Sequence, residues 1–134
     1  MAANEQNVLV LAYLGDGFYE LVVRSYFVSK GICKVNELQK QVIQYVSAKA
    51  QSSYLEEMMA THFLTEEEET IVKRARNHKG SRHPKNTDII TYKKATGFEA
   101  LIGYHYLNKN LKRLQELMEF ILKEEITCIF MEEM

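Results

Sequence analysis

The stretch Tyr13-Leu14-Gly15-Asp16 lies within an apolar segment and decides the fold expected for the chain. Apolar residues recur around it at the spacing of one helix face, namely Leu11, Leu14, Phe18, Leu21 and Val22. Gly31 stands where such a helix would end. Asp16 introduces a carboxylate into this apolar pattern, and charged groups are rarely buried without a partner. The stretch therefore predicts a long helix that carries a functional acid.

A second stretch, Phe98-Glu99-Ala100-Leu101-Ile102-Gly103, likewise contains one acid and one glycine among apolar residues. Two acids set into separate apolar helices suggest a shared cation. Carboxylate oxygens are hard ligands, which favour Mg²⁺, with Mn²⁺ as a possible substitute, over zinc or copper. We therefore expect Asp16 and Glu99 to be the metal ligands.

Glu20 lies four residues after Asp16, on the same side of the predicted helix. It could act as an outer-shell ligand that holds a metal-bound water. It could equally pair with Arg24, which stands four residues further on. The sequence leaves both interpretations open.

The remaining pattern is helical, which predicts an all-α fold. Asn36 with Gln39 resembles a capping box that opens a second helix, and Ser47 begins a third helix that ends near His62. Thr65 with Glu68 caps a fourth helix, whose glutamates Glu66–Glu69 are expected to face solvent.

Two more helices complete the prediction. Thr87 is expected to cap a fifth helix that runs to Leu107. This helix includes Ile89–Tyr92, although these residues also favour β-strands. Asn108 or Asn110 would begin the last helix. His105 lies on the apolar side of the fifth helix and is expected to be a hydrogen-bonded core or interface residue.

The length of 134 residues fits one domain, residues 1–134, with a core at about 8–123 and a tail at 124–134 to which no structure is assigned. The polar start lacks the features of a signal peptide, and the longest apolar run, Val8–Leu14, is too short to cross a membrane. Cys33 and Cys128 have neither zinc-site nor disulfide-framework spacing. The absence of such a spacing leads us to expect reduced thiols, and hence a cytoplasmic protein. The short apolar run leads us to expect no membrane partner.

The net charge of −1 conceals a separation of charge along the chain. The window from Lys73 to Lys94 holds eight basic residues and one acid, a formal charge of +7, which leaves −8 for the rest. Its centre is a predicted loop from Asn77 to Asn86. A polyanion could bind this surface. The candidate contacts in and beside the loop are Arg76, Lys79, Arg82 and Lys85.

Together the two motifs resemble the signature of the ribonuclease III endonuclease domain. The segments Tyr45–Gln51 and Pro84–Asp88 extend the resemblance to Mini-ribonuclease III over nearly the whole chain. The resemblance implies an all-α ribonuclease III fold, a homodimer, and magnesium-dependent cleavage of double-stranded RNA that leaves 5′-phosphate ends. Asp16 and Glu99 would be the catalytic residues, and Lys49 a further RNA contact. It also implies maturation of large-subunit (23S-type) ribosomal RNA and stimulation of cleavage by a ribosomal protein.

The chain departs from the family pattern at three positions. Ala12 and Thr96 stand where full-length ribonuclease III usually has further acids, so a second metal is not expected. Gly17 replaces an alanine, which should preserve activity. No double-stranded-RNA-binding domain follows the last predicted helix, so the nuclease domain itself is expected to bind RNA.

Two other functions remain open at this point. The basic window alone would suffice for a non-catalytic RNA-binding helical protein. A metal hydrolase that acts on a small phosphorylated molecule is the other alternative, although the chain lacks a glycine-rich phosphate loop.

Overall fold

The computed structural model describes residues 7–78, 85 and 88–126. Across these residues the chain forms helices and no strand, which confirms the predicted all-α class. The helices are α1 (Val8–Ser29), α2 (Val35–Val46), α3 (Ala48–Ala60), α4 (Glu66–Arg76), α5 (Ile89–Leu107) and α6 (Leu111–Leu122). None of these helices is long and apolar enough to cross a membrane.

Helix α5 is the centre of the fold. It packs against α1, α3, α4 and α6, and its contact with α1 is the most extensive between any two helices described. From Ala95 to His105 nearly every residue of α5 is buried, as expected for a helix that other helices surround. The two motifs therefore lie on the pair of helices that forms the core.

Several predicted helix ends are confirmed. Gly31 follows α1 with a φ of 91°, a left-handed conformation that glycine adopts readily. The Ser47 hydroxyl accepts a hydrogen bond from the Ala50 backbone N–H at 3.2 Å and begins α3. Thr65 and Glu68 form the predicted capping box at the start of α4. These caps satisfy backbone N–H groups that a helix leaves unpaired.

Two other predicted helix starts, those of α2 and α5, are wrong. Helix α2 begins at Val35, so Asn36 lies within its first turn, and Lys34 at the cap makes no side-chain bond. Asp88 caps α5, since one carboxylate oxygen accepts from the Thr91 N–H and the other from the Thr91 hydroxyl, each at 2.8 Å. The proposed cap at Thr87 lies outside the described residues. Of the two asparagines considered for the last helix, Asn110 stands at its start, without a side-chain bond.

The expectation that the α4 glutamates face solvent is wrong for Glu68, which is only 2% exposed. Its carboxylate accepts hydrogen bonds from two nitrogens of Arg113, at 2.7 and 2.8 Å, and lies 2.6 Å from His105 Nε2. Burial alone would raise the pKa of Glu68, but these bonds hold it well below its usual range. His105 is thus a hydrogen-bonded core residue, as predicted, and this Glu68 cluster joins α4, α5 and α6.

The structure describes the predicted tail only to Ile126, so Cys128 lies outside the described residues. Glu124 pairs with Lys30 at 2.7 Å, just beyond the end of α1. The backbone of Ile126 donates to Glu119 and accepts from Gln115, each at 3.1 Å. The first residues after α6 are therefore held against α1 and α6.

Candidate active site

Helices α1 and α5 cross with their backbones in direct contact. A Cβ atom on Gly15 would lie 1.8 Å from the carbonyl oxygen of Glu99. A Cβ atom on Gly103 would lie 1.9 Å from the carbonyl oxygen of Leu11. No side chain fits at either position, so the glycines of both motifs are required for this close approach. The crossing brings the neighbouring acids Asp16 and Glu99 together.

Aromatic side chains fix the two helices beside this crossing. The rings of Tyr19 and Phe98 meet edge to face, with their centroids 4.9 Å apart. The Tyr19 hydroxyl donates a hydrogen bond to the Tyr45 carbonyl oxygen at 2.7 Å. Because a buried hydroxyl needs a partner, this bond also ties the end of α2 to the α1–α5 pair.

The carboxyl groups of Asp16 and Glu99 interact directly. Burial, a hydrogen bond with Asp16 and the Asp16 charge together raise the pKa of Glu99 from its ordinary value of 4.5 to about 9. Asp16 is exposed, whereas Glu99 is half-buried. Two carboxyl groups this close cannot both carry their charge at low cost without a cation. The pair therefore has the chemistry of a cation site.

Glu20 stands beside this pair and also raises the pKa of Glu99 through its negative charge. Its carboxylate is at the same time 3.2 Å from the Arg24 guanidinium, in an ion pair whose side chains are 36% and 57% exposed. Such an exposed pair is weak. Glu20 therefore raises the pKa of Glu99 while its own carboxylate is paired with Arg24.

Gln51, on α3, also influences Glu99. It is only 2% exposed, and its amide nitrogen donates a hydrogen bond to the Val46 carbonyl oxygen at 3.2 Å. Its amide also interacts with Glu99 by hydrogen bonding, which lowers the pKa of that acid. Helical periodicity gave no sign of this contact, because Gln51 is polar and its burial follows from the packing of α3 on α5.

The donor set fits a hard divalent cation. Among the described residues, no group of three or more His, Cys, Asp and Glu side chains is arranged to hold a metal ion by itself. An ion at this site would thus rest on two carboxylates, with water and substrate phosphate oxygens as its remaining ligands. That is the arrangement Mg²⁺ commonly adopts.

Comparison with known proteins places this geometry in a family. The family model for the ribonuclease III domain matches residues 9–110, which include both motifs and the α1–α5 crossing. The chain belongs to the ribonuclease III family of endoribonucleases. Its relatives include Mini-ribonuclease 3 of Enterococcus faecalis, 48% identical over 88% of this chain and 89% of the relative. Mini-ribonuclease 3 of Brevibacillus brevis is 49% identical over 87% of this chain and 85% of the relative.

A solved structure supports the ribonuclease III fold. A protein from Fusobacterium nucleatum superposes with a TM-score of 0.79 at 34% identity, over 91% of this chain and 96% of that chain. The predicted fold and enzyme class, an all-α endoribonuclease of the ribonuclease III family, are confirmed.

The predicted RNA-binding residues of this ribonuclease III domain are partly described. Arg76 ends α4 and is half-buried, with its Cγ 3.2 Å from where a Cβ on Gly97 of α5 would stand. Lys85 and Lys49 are exposed. Lys79 and Arg82 lie outside the described residues. The aliphatic part of the Arg76 side chain thus packs against α5 at Gly97.

Helix α1 presents an exposed apolar face beside Asp16. Tyr13 is 84% exposed, and Leu14 and Phe18 line a groove that also contacts Asp16. The other large apolar residues exposed on α1 are Val10, Leu21 and Val28. We call these four exposed residues the α1 stripe: Val10, Tyr13, Leu21 and Val28. All four lie on one face of α1.

Proposed function

We propose that this endoribonuclease cuts double-stranded RNA in a reaction that depends on a divalent cation held by Asp16 and Glu99. The observation that carries the proposal is the contact between the two carboxyl groups, which the Gly15 crossing creates. Burial and this contact together raise the pKa of Glu99 to about 9. Enzymes of this family generally use divalent metal ions. We assign Mg²⁺ as the ion, with Mn²⁺ as a substitute.

The side chains have separate tasks in this proposal. A bound cation supplies an activated water at neutral pH and offsets charge on the phosphate under attack. Asp16 and Glu99 bind and orient it, and their charge is needed for this. Glu20 hydrogen-bonds water at the edge of the site, as outer-shell carboxylates do. Cleavage leaves 5′-phosphate ends.

We assign one cation to each subunit. Thr96 is buried, and its hydroxyl donates to the Tyr92 carbonyl oxygen at 3.0 Å, within its own helix. Ala12 is buried and offers no ligand atom. The two positions that carry further acids in full-length ribonuclease III therefore contribute no carboxylate here.

The basic residues supply the RNA contacts. The window of charge +7 around the end of α4 and the start of α5 is suited to a polyanion. A-form RNA presents phosphates and 2′-hydroxyls along a wide, shallow minor groove, which a basic loop can follow. The proposed contacts are Arg76, Lys79, Arg82, Lys85 and Lys49.

A homodimer is the proposed working unit. The α1 stripe is apolar and exposed in a single chain, and a second copy would cover it on both subunits at once. Two sites on one dimer could then cut the two strands of a duplex. From the family resemblance we assign precursor 23S-type ribosomal RNA as the substrate, with cleavage in the cytoplasm and stimulation by a ribosomal protein.

The test is cleavage of a long RNA duplex in magnesium, with and without a chelator. Asp16→Asn and Glu99→Gln should abolish cleavage, because each amide keeps the shape but loses the charge that holds the cation. Glu37→Gln is the control, because Glu37 is an exposed residue of α2. This variant should cleave the duplex normally.

Two results would favour the alternatives. RNA binding without any cleavage by the unmodified protein would indicate a non-catalytic RNA-binding protein. Hydrolysis of small phosphodiesters that is insensitive to the basic loop would indicate a small-molecule hydrolase.

A further inference from the structure

We propose that Gly97 is the positioning residue for Arg76. The bare backbone of α5 at Gly97 seats the aliphatic part of the Arg76 side chain and so prepares its guanidinium for a phosphate of the RNA. The inference rests on the proposed RNA binding. It assigns a part in that binding to a buried glycine of α5 that lies outside the basic window.

Gly97 leaves a narrow space between α4 and α5. A Cβ atom at this position would lie 3.2 Å from Arg76 Cγ and 3.1 Å from Val72 Cγ1, both shorter than an ordinary van der Waals contact. Gly97 has no positive φ, so the glycine is required for space and not for its backbone conformation. The stem of Arg76 therefore lies directly on the α5 backbone. Arginine commonly buries its methylene groups in this way while its charged end stays in water.

The guanidinium of Arg76 differs from those of two other arginines. Arg76 is half-buried, yet it makes no hydrogen bond or ion pair with another residue in the described part of the chain. Arg24 and Arg113, by contrast, are each paired with a glutamate. A paired guanidinium must give up its carboxylate before it binds a phosphate, whereas Arg76 gives up only water.

The seat at Gly97 favours phosphate binding in two ways. Binding orders a mobile arginine side chain at a cost in rotamer entropy, and a packed stem has lost part of that freedom before the RNA arrives. Gly97 also stands two residues before Glu99, a rise of about 3 Å along the helix axis. The two residues face different sides of α5. A duplex held at Glu99 nevertheless passes within reach of a long side chain seated at Gly97.

The test is a double-mutant cycle between Gly97→Ala and Arg76→Met, with duplex affinity measured in calcium. Methionine keeps most of the aliphatic stem and removes the charge. Arg76→Met should weaken binding and flatten the log–log salt dependence by about one unit. Gly97→Ala keeps the charge but displaces the stem, and should weaken binding at least about twofold, as expected for coupled neighbours. In the Arg76→Met background, Gly97→Ala should cause no further loss of affinity.

A purely structural role gives a different result. If Gly97 only allows α4 to pack on α5, Gly97→Ala changes the melting temperature and leaves duplex affinity unchanged, or weakens binding equally in both backgrounds. Either result would overturn the inference. Gly97→Ala in a Val72→Ala background is a second variant, because the shorter side chain makes room for the added methyl group while the contact with Arg76 remains. It should bind the duplex more weakly than Val72→Ala alone.

The same measurements separate this inference from the proposed function. Lys112→Met is the control for charge, since Lys112 is exposed on α6 outside the basic window, and it should nearly keep the wild-type salt dependence. If the wild type binds no duplex, the proposed RNA binding is wrong. If Arg76→Met binds as the wild type does, Arg76 is not an RNA contact and the inference falls with it. If Arg76→Met loses affinity and Gly97→Ala does not, RNA binding stands and the role of Gly97 is wrong.

Discussion

Gly15 and Glu99 are in backbone contact, such that a Cβ on Gly15 would lie 1.8 Å from the Glu99 carbonyl oxygen. Gly15 has no positive φ, so the glycine is required for space and not for its backbone conformation. The contact sets the distance between α1 and α5, and with it the meeting of Asp16 and Glu99. The close crossing of α1 and α5 therefore also brings the candidate active-site acids together.

The first prediction concerns this contact. Gly15→Ala should destabilise the protein by about 3 kcal/mol or more, because the added methyl group meets backbone atoms that cannot move independently. Gly17→Ala is the matched control, since beyond its chain neighbours and the adjacent backbone of its own helix no atom lies within 4 Å of a Cβ at that position. It should be neutral or stabilise by up to about 1 kcal/mol, as alanine does in helices. Urea denaturation measures both, and equal stability of the two variants would contradict the close crossing.

The second prediction concerns pH and the metal-free site. The pKa of Glu99 is raised from 4.5 to about 9, so between these values the folded state binds more protons than the unfolded state. This group therefore lowers the stability as pH rises from about 4.5 towards 9. Glu99→Gln removes the effect, so in chelator the variant should become increasingly more stable than wild type across this range.

Thermal melting at pH 5, 7 and 9 checks this prediction. Added Mn²⁺ should raise the melting temperature of the wild type, since a ligand stabilises the state that binds it, and should leave Glu99→Gln unchanged. A difference between the two proteins that is independent of pH would show that Glu99 is not protonated in the fold.

The sequence predicted what depends on local pattern. Helical spacing and side-chain caps placed α1, α3 and α4, and the motifs singled out Asp16 and Glu99, two acids that interact in the structure. The cap of α5 was misplaced because Asp88 and the neighbouring Thr87 are both good capping residues, and only the geometry shows that Asp88 bonds Thr91.

What the sequence could not show depends on tertiary contacts. Glu68 stands in a run of four glutamates, and nothing local reveals that Arg113, 45 residues away, neutralises this one. Gln51 is similarly hidden, since a polar residue in a polar helix predicts exposure. Both are polar groups whose burial is stabilised by partners from distant segments.

The third prediction concerns the Glu68 cluster. Glu68→Gln should cost about 3 kcal/mol at pH 7, because it leaves Arg113 without its main charged partner in a largely buried position. The pKa of Glu68 lies well below 4.5 in the fold, so the ion pair contributes stability above pH 4.5 and loses it as pH falls further. The difference between wild type and variant should therefore shrink below pH 4.5.

Glu66→Gln is the control for this prediction, because Glu66 lies in the same first helical turn but is exposed. Its effect at pH 7 should stay within about 0.5 kcal/mol. Equal losses in the two variants would mean that the helix dipole, and not the buried cluster, accounts for the role of Glu68.

The fourth prediction concerns the dimer. If each subunit holds one site that cuts one strand, mixing wild-type and Asp16→Asn subunits should yield heterodimers that nick a duplex without severing it. Denaturing and native gels of an end-labelled duplex distinguish the nicked from the fully cut product. A protein that sediments as a monomer and still makes staggered double-strand cuts would contradict the proposed architecture.

The interface in this prediction is tested separately. Tyr13→Glu places a charge within the α1 stripe, at its most exposed residue, and should shift sedimentation towards the monomer. Ile43→Glu is the control, because Ile43 is also an exposed apolar residue but lies on α2. A monomer produced by Ile43→Glu alone would move the interface to α2.

The fifth prediction is that the basic loop supplies most of the RNA affinity. Replacement of Lys79, Arg82 and Lys85 together by alanine should weaken duplex binding, because phosphate contacts release counterions from the RNA. The log–log dependence of affinity on salt should flatten by about one unit for each lost contact, hence by at most about three. The measurement uses calcium in place of magnesium to prevent cleavage, with Mn²⁺ binding to the RNA-free protein as a check on the carboxylates.

A charge-matched variant makes this result specific. Lys34, Lys40 and Lys112 are exposed and lie outside the basic window, so their joint replacement removes the same charge from other surfaces. This control should lower the salt dependence far less than the loop variant, since distant charges act only through the screened field of the whole protein. If both triple variants flatten the slope equally, net charge and not the loop governs RNA binding. If the loop variant keeps the wild-type slope, the RNA lies on another face.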